Sequence, residues 1–421
     1  MSNPISVILR FKKQVLDSTL LAQRYFVLGI AIQKGFRYLL TPLIIHYYGA
    51  TVYANYALFF SIVQITALLT SLSVPSANIV YWYQYRDKQA YIGSLLILLG
   101  SLGGGLSVIA GFVLYFQVPF SAAEMSPVLF VSLCIIFSMI INLNTISFDL
   151  LRILFLQRGF LIINILGLVL FVFFLLGGSN LGGGLTLLIL IYIVVMSLQT
   201  AYAFSMSKLH SLGCFARKRF WAFARKVLRF SVPLLIYALF VLSTQTVNKW
   251  IVRAYFDQGV FTQYIVDFEA ALAVLLVTLV ISTYNFPVIC KLLYKEDWSG
   301  LWKNSLEHYM LSVGASFFVG ITYYFYMTLG GVHLSSNYWV LAVAFTLSNL
   351  FSVNSTMIQA QRRSSWLVIL VGLSIGLLWL FFIIASKAGL IQWVCWLYVV
   401  YFAMIAAIST INVRSTIKAD L

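Results

Sequence analysis

The stretch YYGATVYANYA, residues 47–57, returns further along the chain as YFDQGVFTQYI, residues 255–265. Tyr47, Val52, Tyr53 and Tyr56 fall on Tyr255, Val260, Phe261 and Tyr264 at a constant shift of 208 residues. A second echo sets LQRGF (156–160) against AQRRS (360–364) at a shift of 204, and Pro75 and Pro287 each close the second apolar segment of their half. Three echoes in one order read as a duplication. Each half holds six apolar segments, an even number, so both copies keep one orientation and relate by an axis along the membrane normal.

Composition makes those segments membrane spans. Of 421 residues, 62% are apolar and 9% charged, against about 25% charged in soluble domains. A spanning helix needs about 20 apolar residues. Twelve segments qualify, at 25–47, 51–75, 91–116, 127–148, 160–178, 184–206, 231–252, 262–289, 306–329, 336–359, 366–386 and 390–412. The expected fold is an all-α polytopic membrane protein of about twelve transmembrane helices, in two six-helix lobes around a central cavity. The lobes take residues 1–209 and 231–421. Between them lies the basic linker HSLGCFARKRFWAFARKVLRF, 210–230, amphipathic enough to lie along an anionic inner leaflet.

The net charge of +16 reports orientation. With the N-terminus inside, every lysine and arginine except five falls in a cytoplasmic segment. Arg253 and Lys387 lie outside, and Lys34, Arg37 and Lys249 lie within spans. That is the positive-inside pattern, which places both termini in the cytoplasm and leaves nucleic-acid binding unsupported. The first apolar segment is long and lacks a small-residue cleavage site, so no cleavable signal peptide is expected. Four scattered cysteines and four histidines show no ligand spacing, and no phosphate-binding G-x-x-x-x-G-K-[ST] loop is present, so no metal, cofactor or catalytic set is expected. An enzyme working outside the membrane would need a sizeable outer loop. The longest, QVPFSAAEMSP (117–127), carries one acid and no base.

The informative residues are the polar ones inside spans. Lys34 and Arg37 share a helix face with Thr41. Arg24, the inner boundary, lies ten residues before Lys34, about 15 Å along a helix, which puts the pair mid-bilayer. Each central cation opposes insertion by roughly 2.5–3.5 kcal/mol, and snorkelling covers only a few ångströms. Few intramembrane carboxylates are present to neutralise them, so a polar cavity for an anion is the reading they favour. Gln245, Asn248 and Lys249 form a second one-sided set, with Lys249 near the outer edge, where snorkelling is cheap. Asp267 and Glu269 are two apart and face differently, so they form no carboxylate dyad. Each is a candidate for ion coupling or for pairing with a cavity cation. Tyr53 and Tyr56 offer aromatic faces on which sugars could stack.

TPLIIHYYGATVYANYALFFSIVQI (41–65) resembles the helix 1–2 turn of Wzx-type flippases for undecaprenyl-pyrophosphate-linked oligosaccharides, within the multidrug/oligosaccharidyl-lipid/polysaccharide exporter superfamily. FSVPLLIYALFVLSTQTVNKWIVRAYF (230–256) is similar to that family's seventh helix, and LLRILFLQRGFLIINIL (150–166) to its helix 4–5 loop. The resemblance implies two lobes that alternate between inward and outward openings. It implies a bacterial inner membrane location, lipid-linked oligosaccharide and membrane lipids as partners, and a downstream polysaccharide polymerase as a candidate partner. With twelve helices, a lipid-tail groove built from two further C-terminal helices is not expected. Family members commonly carry an acid beside a base late in helix 7. Here that pair reads Asn248-Lys249, which removes any carboxylate role from this position. The expected function is flipping of an O-antigen-type repeat unit, with an ion-coupled small-molecule or drug antiporter of the same superfamily as the alternative.

Overall fold

The computed structural model describes residues 25, 28–33, 35–75, 81, 85, 87–117, 125–154, 156–179, 184–207, 213–277, 289, 292, 297–360 and 364–419. Lys34, His210, Pro287, Cys290 and residues 361–363 of the second echo lie outside them. Among the described residues there are twelve helices and no strand. They are α1 (28–33 and 35–48), α2 (Ala50–Ser71), α3 (Lys88–Gln117), α4 (Pro127–Ile153), α5 (Gln157–Ser179) and α6 (Leu185–Met206). Then come α7 (Arg217–Tyr255), α8 (Gln258–Leu272), α9 (Trp298–Leu329), α10 (Asn337–Ala360), α11 (Ser364–Lys387) and α12 (Ile391–Ala419). Eleven are long and apolar enough to cross a membrane. Large apolar side chains such as Val108, Phe173, Phe318 and Leu373 are exposed, as a lipid-facing surface requires. This is a multi-pass membrane protein of two lobes.

Packing partners recur at a step of six helices. α2 packs on α4 as α8 packs on α10; α4 packs on α6 as α10 packs on α12; α5 packs on α6 as α11 packs on α12. The lobes meet where α2 crosses α7 and α8. The two echoed turns use different devices. Gly49, before α2, holds φ +86, which a glycine adopts without a Cβ clash. Asp257, before α8, instead caps the helix by accepting from the Val260 N–H at 2.9 Å.

α7 begins at Arg217, inside the basic stretch expected as a linker loop, and runs 39 residues without a break. Between 217 and 255 only Pro233 interrupts the pattern, and membrane helices tolerate a proline. The end of the bundle where α7 starts is its basic side. Residues 213–216 dock on α3: the Phe215 N–H donates to Ser94 Oγ at 2.9 Å. A Cβ on Gly93 would collide with the Gly213 carbonyl. Gly93→Val is therefore expected to cost about 3 kcal/mol, read as a lower thermal unfolding midpoint in detergent. An unchanged midpoint would show that this docking does not persist.

On the opposite, far side the lobes are joined through α1 and α9. Pro42 has no N–H, so the Tyr38 carbonyl loses its usual partner within α1. Tyr323 of α9 supplies one, its hydroxyl donating to Tyr38 O at 2.7 Å. Tyr326 donates likewise to Leu39 O at 2.6 Å.

Candidate functional site

Three charges meet at mid-depth between the lobes. Arg37 of α1 places a guanidinium nitrogen 2.6 Å from Glu269 Oε1 of α8. Lys249 of α7 pairs with the same oxygen and also donates to Ser61 Oγ of α2 at 3.0 Å. Glu269 is fully buried and Lys249 nearly so. Two cations thus share one carboxylate, and the centre carries a net charge of +1. Glu269 Oε2 and Arg37 Nε have no hydrogen-bond partner among the described residues. The Arg37 guanidinium lies 4.7 Å over the Phe60 ring, a cation–π contact that holds its plane.

This geometry selects one sequence expectation and changes another. Glu269 pairs with a cavity cation, one of the two roles expected of it, although it neutralises only one of the two cations. Lys249 does not snorkel outward. It lies six residues before the end of α7, about 9 Å along the axis. Its side chain leans back toward the helix N-terminus, which brings the ammonium to the level of Glu269, eleven residues into α8. Lys34, the neighbour of Arg37 on the expected face, is outside the described residues.

The other sequence candidates surround this centre without joining it. The Thr41 hydroxyl donates to Arg37 O at 3.0 Å and so accepts from Tyr53 OH, also at 3.0 Å. Tyr56 stacks on Tyr192 with centroids 5.0 Å apart and planes 16° apart. Tyr53 and Tyr56 are both fully buried, so their rings are core packing and not the open sugar platforms expected. Asn248 donates to Tyr264 OH at 2.6 Å. Asp267 accepts from the Ser335 N–H at 2.9 Å, the Ser335 hydroxyl at 2.5 Å and Gln263 Nε2 at 3.1 Å. It ties the α9–α10 turn to α8. The two acids face different surroundings, as their spacing requires. Asp267→Ala would leave the Ser335 groups without their acceptor, at a cost of roughly 2–4 kcal/mol. Faster proteolysis of the 330–336 turn in intact vesicles would report it; an unchanged cleavage rate would exclude the tie.

A cavity of about 550 Å³ lies beside the charge centre, in the half nearer the basic side. Arg37 is the only charged residue in its described lining. The first lobe adds amides: Gln33 from α1, Gln64 from α2, Asn144 from α4, Asn164 from α5 and Gln199 from α6, with Gln245 from α7. Three of these are fixed by one bond each. Asn144 donates to Thr200 Oγ1 at 3.1 Å, Asn164 to Phe160 O at 2.8 Å and Gln199 to Ile163 O at 3.3 Å. Of the sequence candidates, the cavity brings together Arg37 and Gln245. It leaves out Thr41, Tyr53, Tyr56, Asn248, Lys249, Asp267 and Glu269. The five other amides escaped the sequence reading, because a single amide in an apolar span has no motif. The usable signal was that each interrupts a run that lipid alone would keep apolar.

A volume of this size is ordinary for a small-molecule pocket, roughly 300–1,000 Å³. Its chemistry fits an anion at one end and hydrogen-bonding groups along the walls, since amides both donate and accept. No lining carboxylate among the described residues would neutralise a cationic ligand.

Solved structures share this fold. A multidrug resistance MATE family transporter of the MOP superfamily, in an inward-facing conformation, is similar over 94% of this chain and 98% of its own, with TM-score 0.66 and 14% identity. An outward-facing conformation of such a transporter gives TM-score 0.59 at 14% identity, covering 94% of each chain. A MOP superfamily transporter from Pyrococcus furiosus Vc1, described as having a binding pocket of reverse polarity that suggests a different function, gives 0.56 at 13% identity, again over 94% of each. At these identities the likeness establishes the fold. No family model matches the chain, and no curated protein matches it.

Proposed function

We propose that this protein is a flippase that carries undecaprenyl-pyrophosphate-linked, O-antigen-type repeat units from the cytoplasmic to the periplasmic leaflet of a bacterial inner membrane. The supporting observation is the charge of the cavity. Among the described residues its single lining charge is Arg37, backed by a buried centre of net +1. A pyrophosphate diester carries about two negative charges and suits the planar fork of a guanidinium. The wall amides suit sugar hydroxyls. The polyprenyl tail stays in lipid, so only the polar head uses the cavity. That lowers the main barrier, which is desolvation of a charged head in hydrocarbon.

The mechanism is alternating access. By the positive-inside pattern the basic side is cytoplasmic, and the cavity loads from there while α1 and α9 hold the far side together. An incoming phosphate pairs with Arg37 and draws the guanidinium away from Glu269. Lys249 keeps Glu269 within the second lobe. The α1–α8 ion pair between lobes weakens, and the far side can part. Of the two candidate ion-coupling acids, Glu269 is the one placed to respond to cargo. A downstream polymerase that consumes repeat units would draw the cycle forward. The carrier makes and breaks no covalent bond.

The test is a deletion strain whose lipid-linked intermediates are extracted and assigned to a leaflet. Loss of long-chain surface glycan, with repeat units held on the cytoplasmic leaflet, is the expected result. An intact glycan profile with sensitivity to many toxic compounds would replace this reading by drug export.

A further inference from the structure

A second cavity, of about 330 Å³, lies in the second lobe. It shares Gln245 and Leu275 with the first, so the two are adjacent. Nine of its fourteen lining positions correspond to lining positions of the first. The shift of 208 residues that carries Tyr47 onto Tyr255 also carries Gln33, Phe36 and Arg37 of α1 onto Val241, Thr244 and Gln245 of α7. The shift of 204 carries Asn144, Thr145 and Phe148 of α4 onto Ser348, Asn349 and Ser352 of α10. A shift of 206, which superposes the tyrosines Tyr192 and Tyr398, carries Val195, Met196 and Gln199 of α6 onto Tyr401, Phe402 and Ile405 of α12. Every residue in the first set lines the first cavity, and every residue in the second set lines the second. These are two copies of one site.

The copies differ in chemistry. Where the first has Arg37, the second has the Gln245 amide, and no charged residue lines it among those described. Hydroxyls remain on one face of α10, at Ser348, Ser352 and Ser355, spaced four and three residues apart. Asn349 beside them is fully buried. Its Nδ2 donates to Val274 O at 3.0 Å and Ser316 Oγ at 2.7 Å, while its Oδ1 has no partner among the described residues. An unpaired buried acceptor is costly to keep, and a ligand hydroxyl would satisfy it. Tyr401 and Phe402 add aromatic walls. Hydroxyls, a free acceptor, aromatic faces and no charge suit a neutral polyhydroxylated group.

We infer that the second cavity is a subsite for the neutral sugars of the cargo, distal to the anionic group held at Arg37. This rests on the lipid-linked cargo proposed above. The head would lie across both lobes, its pyrophosphate in one copy of the ancestral site and its glycan in the other. Specificity for glycan would then reside in the second lobe, where a site built to hydrogen-bond hydroxyls rejects a ligand that lacks them.

The experiment uses the full protein in nanodiscs and two probes. One is undecaprenyl pyrophosphate without sugar; the other is the lipid-linked repeat unit extracted from the producing strain. Ser352→Leu, which fills the cavity with an apolar side chain, is expected to weaken binding of the repeat-unit lipid about tenfold. Binding of undecaprenyl pyrophosphate should not change. Ser348→Leu is a second variant of the same design, used if the first fails to fold. Unchanged affinity for the repeat-unit lipid, or equal loss for both lipids, overturns the subsite. If the unaltered protein binds neither lipid, the cargo reading falls and the subsite falls with it.

Discussion

Glu269→Gln is expected to destabilise the protein by about 3–5 kcal/mol, the usual cost of removing one partner from a buried ion pair. The reason is the count of charges. Arg37 and Lys249 both lean on one carboxylate oxygen, so the substitution strands two cations where hydrocarbon and packed side chains replace water. Lys249→Met is expected to behave differently, costing less than about 1.5 kcal/mol. It leaves Arg37 and Glu269 as a neutral pair and swaps the ammonium for an apolar end of similar length. Adding Lys249→Met to Glu269→Gln should recover part of the lost stability, because one stranded charge goes. The measurement is the thermal midpoint by size-exclusion fluorescence in detergent, together with abundance in the membrane. Equal midpoints for Glu269→Gln and the unaltered protein would mean that the carboxylate does not hold the two cations.

The second large effect falls on transport. Arg37→Ala leaves Lys249 and Glu269 paired and neutral, so the protein should fold and accumulate normally. It removes the one charge among the described residues that lines the cavity. Two charge-assisted hydrogen bonds at roughly 1.5–3 kcal/mol each correspond to at least a hundredfold loss of affinity for a phosphate head. Long-chain surface glycan should fall below about a tenth of normal. Arg37→Lys should restore part of it, since an ammonium supplies charge without the bidentate fork. Removing Lys34 as well, in Lys34→Ala plus Arg37→Ala, should deepen the loss. Normal glycan in that double variant, at equal expression, would remove the cationic cavity from the mechanism.

Much of this was legible in the chain. Apolar runs of spanning length give the twelve helices, and the two-lobe arrangement follows from an even number of spans in each repeat. The depth of Arg37 follows from the helical rise. What sequence could not supply was pairing across the lobes. Glu269 reaches Arg37 from a helix more than two hundred residues away, and spacing says nothing about that approach. The depth of Lys249 in the sequence is that of its Cα, while a four-carbon stem carries its charge most of a helical turn. Tyr53 and Tyr56 carry rings that serve equally as core or as platform, and only packing separates the two. The start of α7 was hidden because a basic amphipathic stretch reads alike as surface segment or as first turns of a long helix.

Pro42 makes the Tyr38 carbonyl depend on the other lobe for a donor, and Tyr323 is that donor. When the far side parts, the carbonyl must exchange this partner for water, because an unsatisfied backbone group in a dry gap costs several kcal/mol. The gap therefore cannot open dry. Any opening on that side is a wetting event, in which water is the first molecule to enter.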